Sequence, residues 1–371
     1  MNNKKLKIAL VHDYLNEFGG AERVLSVLSE MYPDAPIYTA FYKKNSTAHN
    51  HFQNRHIIPS WVHHIPFFSS KLHSPLRFLT PLIWGSFDFS NYDIVISSAS
   101  WYITKGFKKG PATREICYCH TPPRWLYGFK TSVEFQKYWL VRVYALIVGH
   151  FMRLYDFAQA QKVDIFVANS QNVAQRIQKF YRRDSVIIYP PVSLPPIPVV
   201  KKQDYYLIIS RIVGAKGLDL AVKAAIKLNL KLKIVGEPAG YYTEYKQLKN
   251  LSKSNVEFLG RVSDEELVKL YASAKAFLAL STDEDFGITP VESQLAGTPV
   301  IAFRGGGYLE SVIENKTGVF FNEPSVDSLI SAIKKFQKLN LKPSDCIANA
   351  QKFSKQAFIN KIQKLISPSQ I

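Results

Sequence analysis

The sequence predicts an α/β protein of two domains, each built on a doubly wound parallel sheet. Its 371 residues, 47% of them hydrophobic, exceed what one hydrophobic core usually serves. Short β-branched runs alternate with longer amphipathic stretches in both halves of the chain, as they do in βαβ units. Five prolines between positions 190 and 198 interrupt regular structure, so we place the boundary there, with domains 1–192 and 193–344.

The alternation of strands and helices is clearest in the second domain. The predicted strands are residues 205–209, 232–235, 256–259, 276–280, 299–303 and 318–321. The predicted helices are residues 218–228, 242–251, 264–274, which Ser263 precedes as an N-cap, and 288–296. Beyond them, residues 345–366 predict one basic amphipathic helix, and the segment 345–371 is expected to pack back onto the first domain.

The first domain repeats this pattern around an irregular insert. Its predicted strands are residues 6–11, 35–39, 93–97, 114–119 and 164–169. Residues 51–89 are crowded with aromatic side chains, prolines and histidines, and all nine histidines lie before residue 195. Two interpretations are open for this insert. It is a buried cap over the sheet, or a surface for a substrate or a membrane, since apolar patches rimmed by basic residues mark binding sites.

Composition restricts the partner and the compartment. The formal net charge of +18 favours an anionic partner, and nucleic acid, anionic lipid and phosphorylated small molecules all satisfy it. The cations are not clustered with interleaved aromatics on one element, which disfavours nucleic acid. Three cysteines cannot form a disulfide framework, and Cys117 and Cys119 lack the spacing of a zinc site. We therefore expect buried, reduced thiols in a cytoplasmic protein.

No segment is predicted to cross a membrane. The lysines at 4, 5 and 7 precede an apolar run at 8–11 that is too short for a signal-peptide core and is typical of a first strand. The most apolar helical stretch, residues 138–155, is interrupted by Arg142, His150 and Arg153. A membrane-spanning helix needs ~20 mainly apolar residues, so this stretch does not qualify.

Ligands of open α/β sheets bind beyond the carboxyl ends of the strands, and three motifs of the first domain follow predicted strands. Gly19 and Gly20 precede a helical pattern, where close backbone approach and a helix N-terminus suit a phosphate, although an ordinary β-α turn explains them equally. His120 ends the fourth strand and is stiffened by two prolines, which suits a hydrogen bond to a sugar hydroxyl. His12 and Asp13 follow the first strand in a similar position.

Two motifs of the second domain carry charged side chains. Arg211 and Lys216 flank a glycine-containing turn after a buried strand and form a cationic cradle suited to a diphosphate, unless they are simply solvated. Glu284 lies in the loop after the strand at 276–280, and Glu292 lies about one helical turn into the next element. Both acids can face one crevice, one gripping sugar hydroxyls and the other a ribose diol. Two solvated acids, or a weak metal site at 283–285, are the alternatives.

With seven residues between Glu284 and Glu292, this motif resembles the E-x7-E signature of the retaining glycosyltransferases of family 4, group 1. Residues 19–22, 210–217 and 260–263 are similar to that family in the same order. The resemblance covers nearly the whole chain and is weakest from 40 to 92, where acceptor-side variation is expected. It implies the GT-B fold, in which two Rossmann-like domains face a central cleft. Residues 1–192 would form the acceptor side and 193–344 the nucleotide-sugar donor side.

The resemblance also implies how the donor is held. Glu284 would bind hydroxyls of the donor sugar, while backbone N–H groups of Phe286, Gly287 and Ile288 hold sugar and phosphate. Glu292 would take the ribose. No enzymic nucleophile is implied, because retention is explained by front-face attack in which the leaving phosphate takes the proton of the acceptor.

Further residues complete the implied site. Arg211 and Lys216 would neutralise the leaving diphosphate in place of a divalent ion, so neither a metal nor another cofactor is expected. His120 would contact the sugar near its reacting carbon. Residues 19–20 would accommodate the diphosphate from the first domain, and Arg261 would form a wall of the base pocket.

The sequence around Glu284 is most similar to bacterial mannosyltransferases that build O-antigen and related surface polysaccharides, which suggests GDP-mannose as donor. Asp285 departs from the pattern, since many family members have glycine or another small residue there. The donor choice rests on few positions, so UDP-sugars stay open. The expected partners are a nucleotide-sugar, a glycan or lipid-linked acceptor and an anionic membrane, contacted peripherally at the inner face of the plasma membrane, without nucleic acid. A nucleotide-sugar epimerase, a phosphorylase and a non-catalytic basic binding protein are the alternatives.

Overall fold

The computed structural model describes residues 6–129, 139–212, 216–238 and 242–367. The chain forms two compact units. The N-terminal unit extends to Pro191 and includes the chain again from Phe358, whereas the C-terminal unit contains Val192–Ala357. The chain therefore passes from one unit to the other inside the proline-rich segment.

A seven-stranded parallel sheet forms the centre of the N-terminal unit. Its strands are β1 (Ile8–His12), β2 (Ile37–Thr39), β3 (Ile57–Pro59), β4 (Ile94–Ala99), β5 (Arg114–Cys119), β6 (Ile165–Ala168) and β7 (Val186–Ile187). Their order in the sheet is β3-β2-β1-β4-β5-β6-β7, so the strand order reverses between β1 and β4. Such a reversal is where open α/β sheets bind ligands. All five predicted strands form, whereas the short edge strands β3 and β7 were not predicted.

Helices and the insert cover the two faces of this sheet. The helices are α1 (Gly20–Met31), α2 (Thr47–Phe52), α3 (Thr80–Gly85), α4 (Trp139–Ala160) and α5 (Gln171–Tyr181). Alternate residues of β1 point to opposite sides of the sheet. The residues on one side pack with α1, and those on the other side pack with the predicted insert. Buried side chains of the insert include Val62, Phe68, Ile83 and Trp84, which confirms the cap. Other side chains of the same insert are exposed, namely Trp61, Phe67, Phe78 and Leu82.

The C-terminal unit has a six-stranded parallel sheet of order β10-β9-β8-β11-β12-β13. Its strands are β8 (Tyr206–Ile209), β9 (Leu232–Val235), β10 (Val256–Gly260), β11 (Ala276–Ala279), β12 (Val300–Phe303) and β13 (Gly318–Phe321). Its helices are α6 (Leu218–Leu228), α7 (Tyr242–Leu251), α8 (Asp264–Ser273), α9 (Ile288–Leu295), α10 (Tyr308–Ser311), α11 (Val326–Gln337) and α12 (Pro343–Ala350). The predicted strands and helices of this unit all form, and Ser263 caps α8. The strand order reverses between β8 and β11.

The prediction of one helix over residues 345–366 is wrong. The chain forms α12, a short 3-10 turn (Gln351–Phe353) and then α13 (Lys355–Ile366). Ser354 has an extended backbone, and its hydroxyl accepts the N–H of Ala357 at 3.3 Å, so it ends one helix and caps the next. The helix α13 packs onto the N-terminal unit, where it joins the core on the α1 face through Phe358, Ile362, Leu365 and Ile366.

Two expectations from composition concern the cysteines and the membrane. The three cysteines are free and buried, as expected. Over the residues that the structure describes, no helix has the length and apolar character needed to cross a bilayer. The predicted features at Tyr138, at the lysines 4 and 5 and at Gly214 lie outside the described residues.

Candidate active site

A chain of hydrogen-bonded side chains lies at the carboxyl ends of three neighbouring strands of the N-terminal unit. His12 ends β1, Ser98 lies near the end of β4, and His120 follows β5. The hydroxyl of Ser98 lies 3.0 Å from Nδ1 of His12 and 2.9 Å from Nε2 of His120. At the other end, Nε2 of His12 lies 3.3 Å from a carboxylate oxygen of Glu22, in the first turn of α1. We call these four residues the histidine relay.

The Glu22 carboxylate gives the histidine relay a direction. An ionised carboxylate only accepts hydrogen bonds, so Nε2–H of His12 donates to Glu22, and in the neutral form of His12 the Nδ1 atom accepts from the Ser98 hydroxyl. The Ser98 oxygen then accepts from Nε2–H of His120. In this tautomer His120 has its lone pair on Nδ1, which suits a hydrogen bond from a ligand hydroxyl.

Burial keeps His120 neutral. The residue is 9% exposed, and burial, together with the nearby His12, lowers the pKa of His120 to about 3. The side-chain amide of Asn169 donates to the His120 carbonyl at 2.9 Å and holds this loop. A neutral imidazole can accept a hydrogen bond near neutral pH but has no second proton to give as an acid.

Asp13, the other candidate after β1, is a structural anchor. Its buried carboxylate accepts the backbone N–H groups of Ser100 and Tyr102, each at 3.1 Å. It also accepts from the N–H of Trp101 and the hydroxyl of Thr104. A carboxylate with four donors is committed to holding the loop that follows β4.

Gly19 and Gly20 lie where α1 begins. The N–H of Gly19 donates to Glu22 Oε2 at 2.9 Å, so the Glu22 carboxylate connects the glycine loop to His12. The first intrahelical bond runs from Arg23 N–H to the Gly19 carbonyl at 3.1 Å. The N–H groups of Gly20 and Ala21 precede it and have no acceptor within the helix, which makes this end of α1 suitable for an anion.

An ion pair joins the loops after β8 and β11 in the C-terminal unit. The ammonium of Lys216 lies 2.7 Å from Oε2 of Glu284, and both side chains are partly exposed. The hydroxyl of Tyr308 donates to the same oxygen at 3.4 Å. Burial and the negative charge of Glu284 raise the pKa of Tyr308 well above its usual value, so the phenol stays protonated as a donor.

Three glycines after β12 let the chain pass close to the Glu284 loop. A Cβ on Gly306, which has φ 55°, would lie 2.3 Å from the carbonyl oxygen of Glu284. A Cβ on Gly307 would lie 2.3 Å from the Cα of Phe286. The N–H of Gly307 donates to the Glu284 carbonyl at 3.0 Å, which fixes the backbone of that residue. This contact was not predicted, although three glycines directly after a predicted strand indicate close backbone approach.

The helix α9 begins immediately after the acidic loop. Gly287 is its N-cap, with φ 84°, and Ile288 is its first residue, so the N–H groups of this turn have no acceptor within the helix. The side chain of Phe286 is buried, which leaves its backbone to reach a ligand. Glu292 lies one turn further on, is only 1% exposed and accepts from the Tyr271 hydroxyl at 2.8 Å.

The remaining predicted residues lie at strand ends of the same sheet. Arg211 follows β8 and Arg261 follows β10, and both side chains are exposed. A Cβ on Gly236 would lie 2.0 Å from the Ser210 carbonyl, and its N–H donates to the Gly260 carbonyl at 2.8 Å. The loops after β8, β9 and β10 are thereby packed together, while the turn at 213–215 lies outside the described residues.

The structure thus joins Lys216 directly to Glu284, whereas Glu292 lies deeper in the unit. In the ranges described, the acidic triplet 283–285 included, no three His, Cys, Asp or Glu side chains are grouped so that they could hold a metal ion. Ser98, Glu22 and Tyr308 were not predicted as site residues. No spacing rule signals Ser98 or Tyr308, because only the strand order brings them to the candidate residues.

The two parallel-sheet units define the class of protein. Residues 194–353 match the family of glycosyl transferases group 1. The chain has the GT-B fold. It is similar to the crystal structure of Anabaena Alr3699/HepE in complex with UDP and glucose, with a TM-score of 0.71 at 18% identity, covering 98% of this chain and 100% of that chain.

Two relatives with an assigned activity are mannosyltransferases. The chain is 26% identical to the alpha-1,3/1,6-mannosyltransferase ALG2 of Mus musculus over 293 residues, which is 68% of each protein. It is 28% identical to the alpha-1,3/1,6-mannosyltransferase ALG2 of Homo sapiens over 243 residues, covering 55% of this chain and 58% of that protein.

Proposed function

We propose that the protein is a retaining glycosyltransferase that transfers mannose from GDP-mannose to a lipid-linked glycan acceptor in surface polysaccharide biosynthesis. One observation carries the proposal. Lys216 and Glu284 form an ion pair at the strand-order reversal of the C-terminal sheet, beside the N-terminus of α9. A cation suited to a diphosphate and an acceptor suited to sugar hydroxyls therefore lie next to each other, as the two halves of a nucleotide-sugar require.

The proposed step breaks one bond and forms one bond. The bond between the anomeric carbon and the diphosphate oxygen breaks, and the acceptor oxygen bonds to that carbon from the same face. The proton of the acceptor hydroxyl goes to the departing phosphate. Lys216 and Arg211 stabilise the negative charge that grows on this phosphate, which is the term that contributes most to such reactions.

Other residues take supporting roles. Glu284 holds hydroxyls of the sugar, and the N–H groups of residues 286–288 hold sugar and phosphate at the positive end of α9. Glu292, fixed by Tyr271, takes the ribose, and Arg261 borders the base. Within the N-terminal unit, Nδ1 of His120 accepts a hydrogen bond from a sugar hydroxyl, and the start of α1 at residues 19–20 binds phosphate.

Two of the relatives support the choice of donor. Both ALG2 proteins are described as mannosyltransferases, which supports mannose. A UDP-sugar is the second candidate, because Alr3699/HepE was solved with UDP and glucose and is similar over nearly the whole chain. A basic binding protein without catalysis is the remaining alternative, and salt-sensitive duplex binding that survives loss of Glu284 would favour it.

Donor binding predicts thermal stabilisation without metal. In the presence of EDTA, GDP and GDP-mannose at about 100 times their dissociation constants should raise the unfolding midpoint by roughly 5–10 °C, because they bind only the folded state. Differential scanning fluorimetry with guanine and uracil nucleotides measures this. A rise of the unfolding midpoint with uracil nucleotides alone would indicate that the donor is a UDP-sugar and not GDP-mannose. A shift that requires divalent metal would contradict the role given to Lys216 and Arg211, and no shift with any ligand would reject the function.

A further inference from the structure

The solvent-facing side of α4 carries the largest apolar side chains of that helix. Trp139 and Leu146 are each 69% exposed and Phe151 is 65% exposed. Leu140, Val143, Ile147 and Leu154 are exposed as well. None of residues 139–148 is buried. Burying these side chains would be favourable, so a contiguous set left in water marks an interaction surface.

The helical repeat places these side chains on one side. At 3.6 residues per turn, positions 139, 140, 143, 146, 147, 151 and 154 share a face of the helix. The buried residues of α4 are Gly149, Met152, Asp156 and Ala160, which lie on the opposite face and pack into the N-terminal unit. The amphipathic pattern is therefore inverted, because a helix of this kind normally turns its apolar face inward.

The insert extends this apolar surface within the same unit. The hydroxyl of Tyr144 donates to the Pro75 carbonyl, which joins the exposed half of α4 to the insert. The insert in turn exposes Phe67, at 70%, and Leu82. We call the exposed side chains of α4 together with Phe67, Phe78 and Leu82 the apolar face.

Charge around the apolar face is almost entirely positive. Residues 35–87, which cover all but the last two residues of the insert, contain five Lys and Arg, six His and no Asp or Glu. Lys71 lies 6.0 Å from the ring centre of Phe67. The single carboxylate of α4, Asp156, is buried and paired with Lys105 at 2.9 Å. An apolar face bordered by cations is the pattern of segments that bind anionic lipid surfaces.

We propose that the apolar face docks the protein on an anionic lipid bilayer, with α4 lying in the plane of the headgroups. A second copy of the chain is the less suitable occupant, because each copy carries a net charge of +18 and residues 35–87 contain no carboxylate that could pair with the cations of a partner. An enzyme with a lipid-linked acceptor is expected to contact a membrane, and the apolar face is the surface proposed for this contact. Only the link to the acceptor rests on the proposed function.

Vesicle sedimentation of the full chain tests the docking. The protein should pellet with phosphatidylglycerol vesicles and not with phosphatidylcholine vesicles. The variant Leu146→Glu/Phe151→Glu should lower the bound fraction about tenfold or more, because two anchoring side chains are lost and two negative charges face the bilayer. A matched control, Leu251→Glu/Ile347→Glu, changes two exposed apolar residues of the C-terminal unit and should bind within twofold of the wild type.

Each result decides between occupants. Equal pelleting of the α4 variant and the control, or no pelleting of the wild type at low salt, would overturn the proposal. If sedimentation velocity shows a wild-type dimer that the α4 variant converts to a monomer, and neither pellets, the apolar face is a dimer interface instead. Thermal stabilisation by nucleotides should be the same in all variants. Loss of that stabilisation in every protein would reject the proposed function while the lipid result stands.

Discussion

Glu284→Ala should reduce kcat/KM by about 10²–10³-fold, the effect of removing one preorganised polar contact at a reacting group. The substitution deletes the proposed acceptor for sugar hydroxyls and releases Lys216 from its 2.7 Å ion pair. Folding should be preserved, because the side chain is partly exposed and the Gly307 N–H donates to the backbone carbonyl of residue 284, which remains. Steady-state transfer of a labelled sugar, with the unfolding midpoint measured alongside, gives both quantities.

Asp283→Ala is the matched control for this variant. It removes a carboxylate from the adjacent position of the same loop, and we expect activity within a few-fold of the wild type. Activity of the Glu284 variant within a few-fold of the wild type, like that expected of the Asp283 variant, would remove Glu284 from the donor site. An equal loss in both variants would instead indicate that the loop depends on its total charge.

Ser98→Ala should lower kcat about tenfold with little change in KM for the donor, and His120→Ala should lower it by about 10²-fold. Ser98 touches no ligand in this account. It is a positioning residue that holds His120 through the 2.9 Å hydrogen bond to Nε2 and thereby keeps the lone pair on Nδ1. Ser98→Thr retains the hydroxyl and should recover most of the activity. The matched control is Ser97→Ala, a buried serine of β4 that points to the other face of the sheet.

The pH dependence of kcat distinguishes a hydrogen-bond acceptor role of His120 from general acid catalysis. Because the folded pKa of His120 is about 3, kcat should show no step from this residue between about pH 5 and 8. Stability should behave differently. The unfolded histidine has a pKa of about 6.5, so the unfolded chain takes up protons more readily, and the contribution of a neutral His120 falls as pH drops from about 6.5 toward 3. A rate step near pH 6.5 that disappears in His120→Ala would contradict the acceptor role.

The architecture was predictable because parallel sheets buried on both faces leave a strong pattern. The runs at 276–280 and 318–321 are continuously apolar and short, and they form β11 inside the C-terminal sheet and β13 at its edge. The edge strands β3 and β7 have three and two residues, too few to show the alternation of apolar and polar residues that identifies a strand. The break between α12 and α13 depends on Ser354, whose capping role competes with a continuous amphipathic pattern that the sequence also supports.

A site residue could be predicted only where it directly follows a predicted strand in the sequence. His120 and Glu284 are of this kind, and both lie at the carboxyl edges of their sheets. Ser98 could not be identified in this way, because its partners His12 and His120 are brought to it by the order β1-β4-β5, which the sequence does not state. The exposed face of α4 was equally hidden, since an apolar helical stretch usually predicts a buried helix.

Binding of GDP to the wild type and to Lys216→Met, measured by titration calorimetry in EDTA, shows whether Lys216 contacts the diphosphate. We expect about 10–10²-fold weaker binding in the variant, because a charged contact to the diphosphate is lost and the Glu284 carboxylate is left unpaired beside it. Lys223→Met, which removes an exposed lysine of α6 paired with Asp219 at 3.3 Å, should bind GDP as the wild type does. Equal GDP affinity of the wild type and both variants would contradict the claim that a nucleotide diphosphate binds at the Lys216 and Glu284 pair.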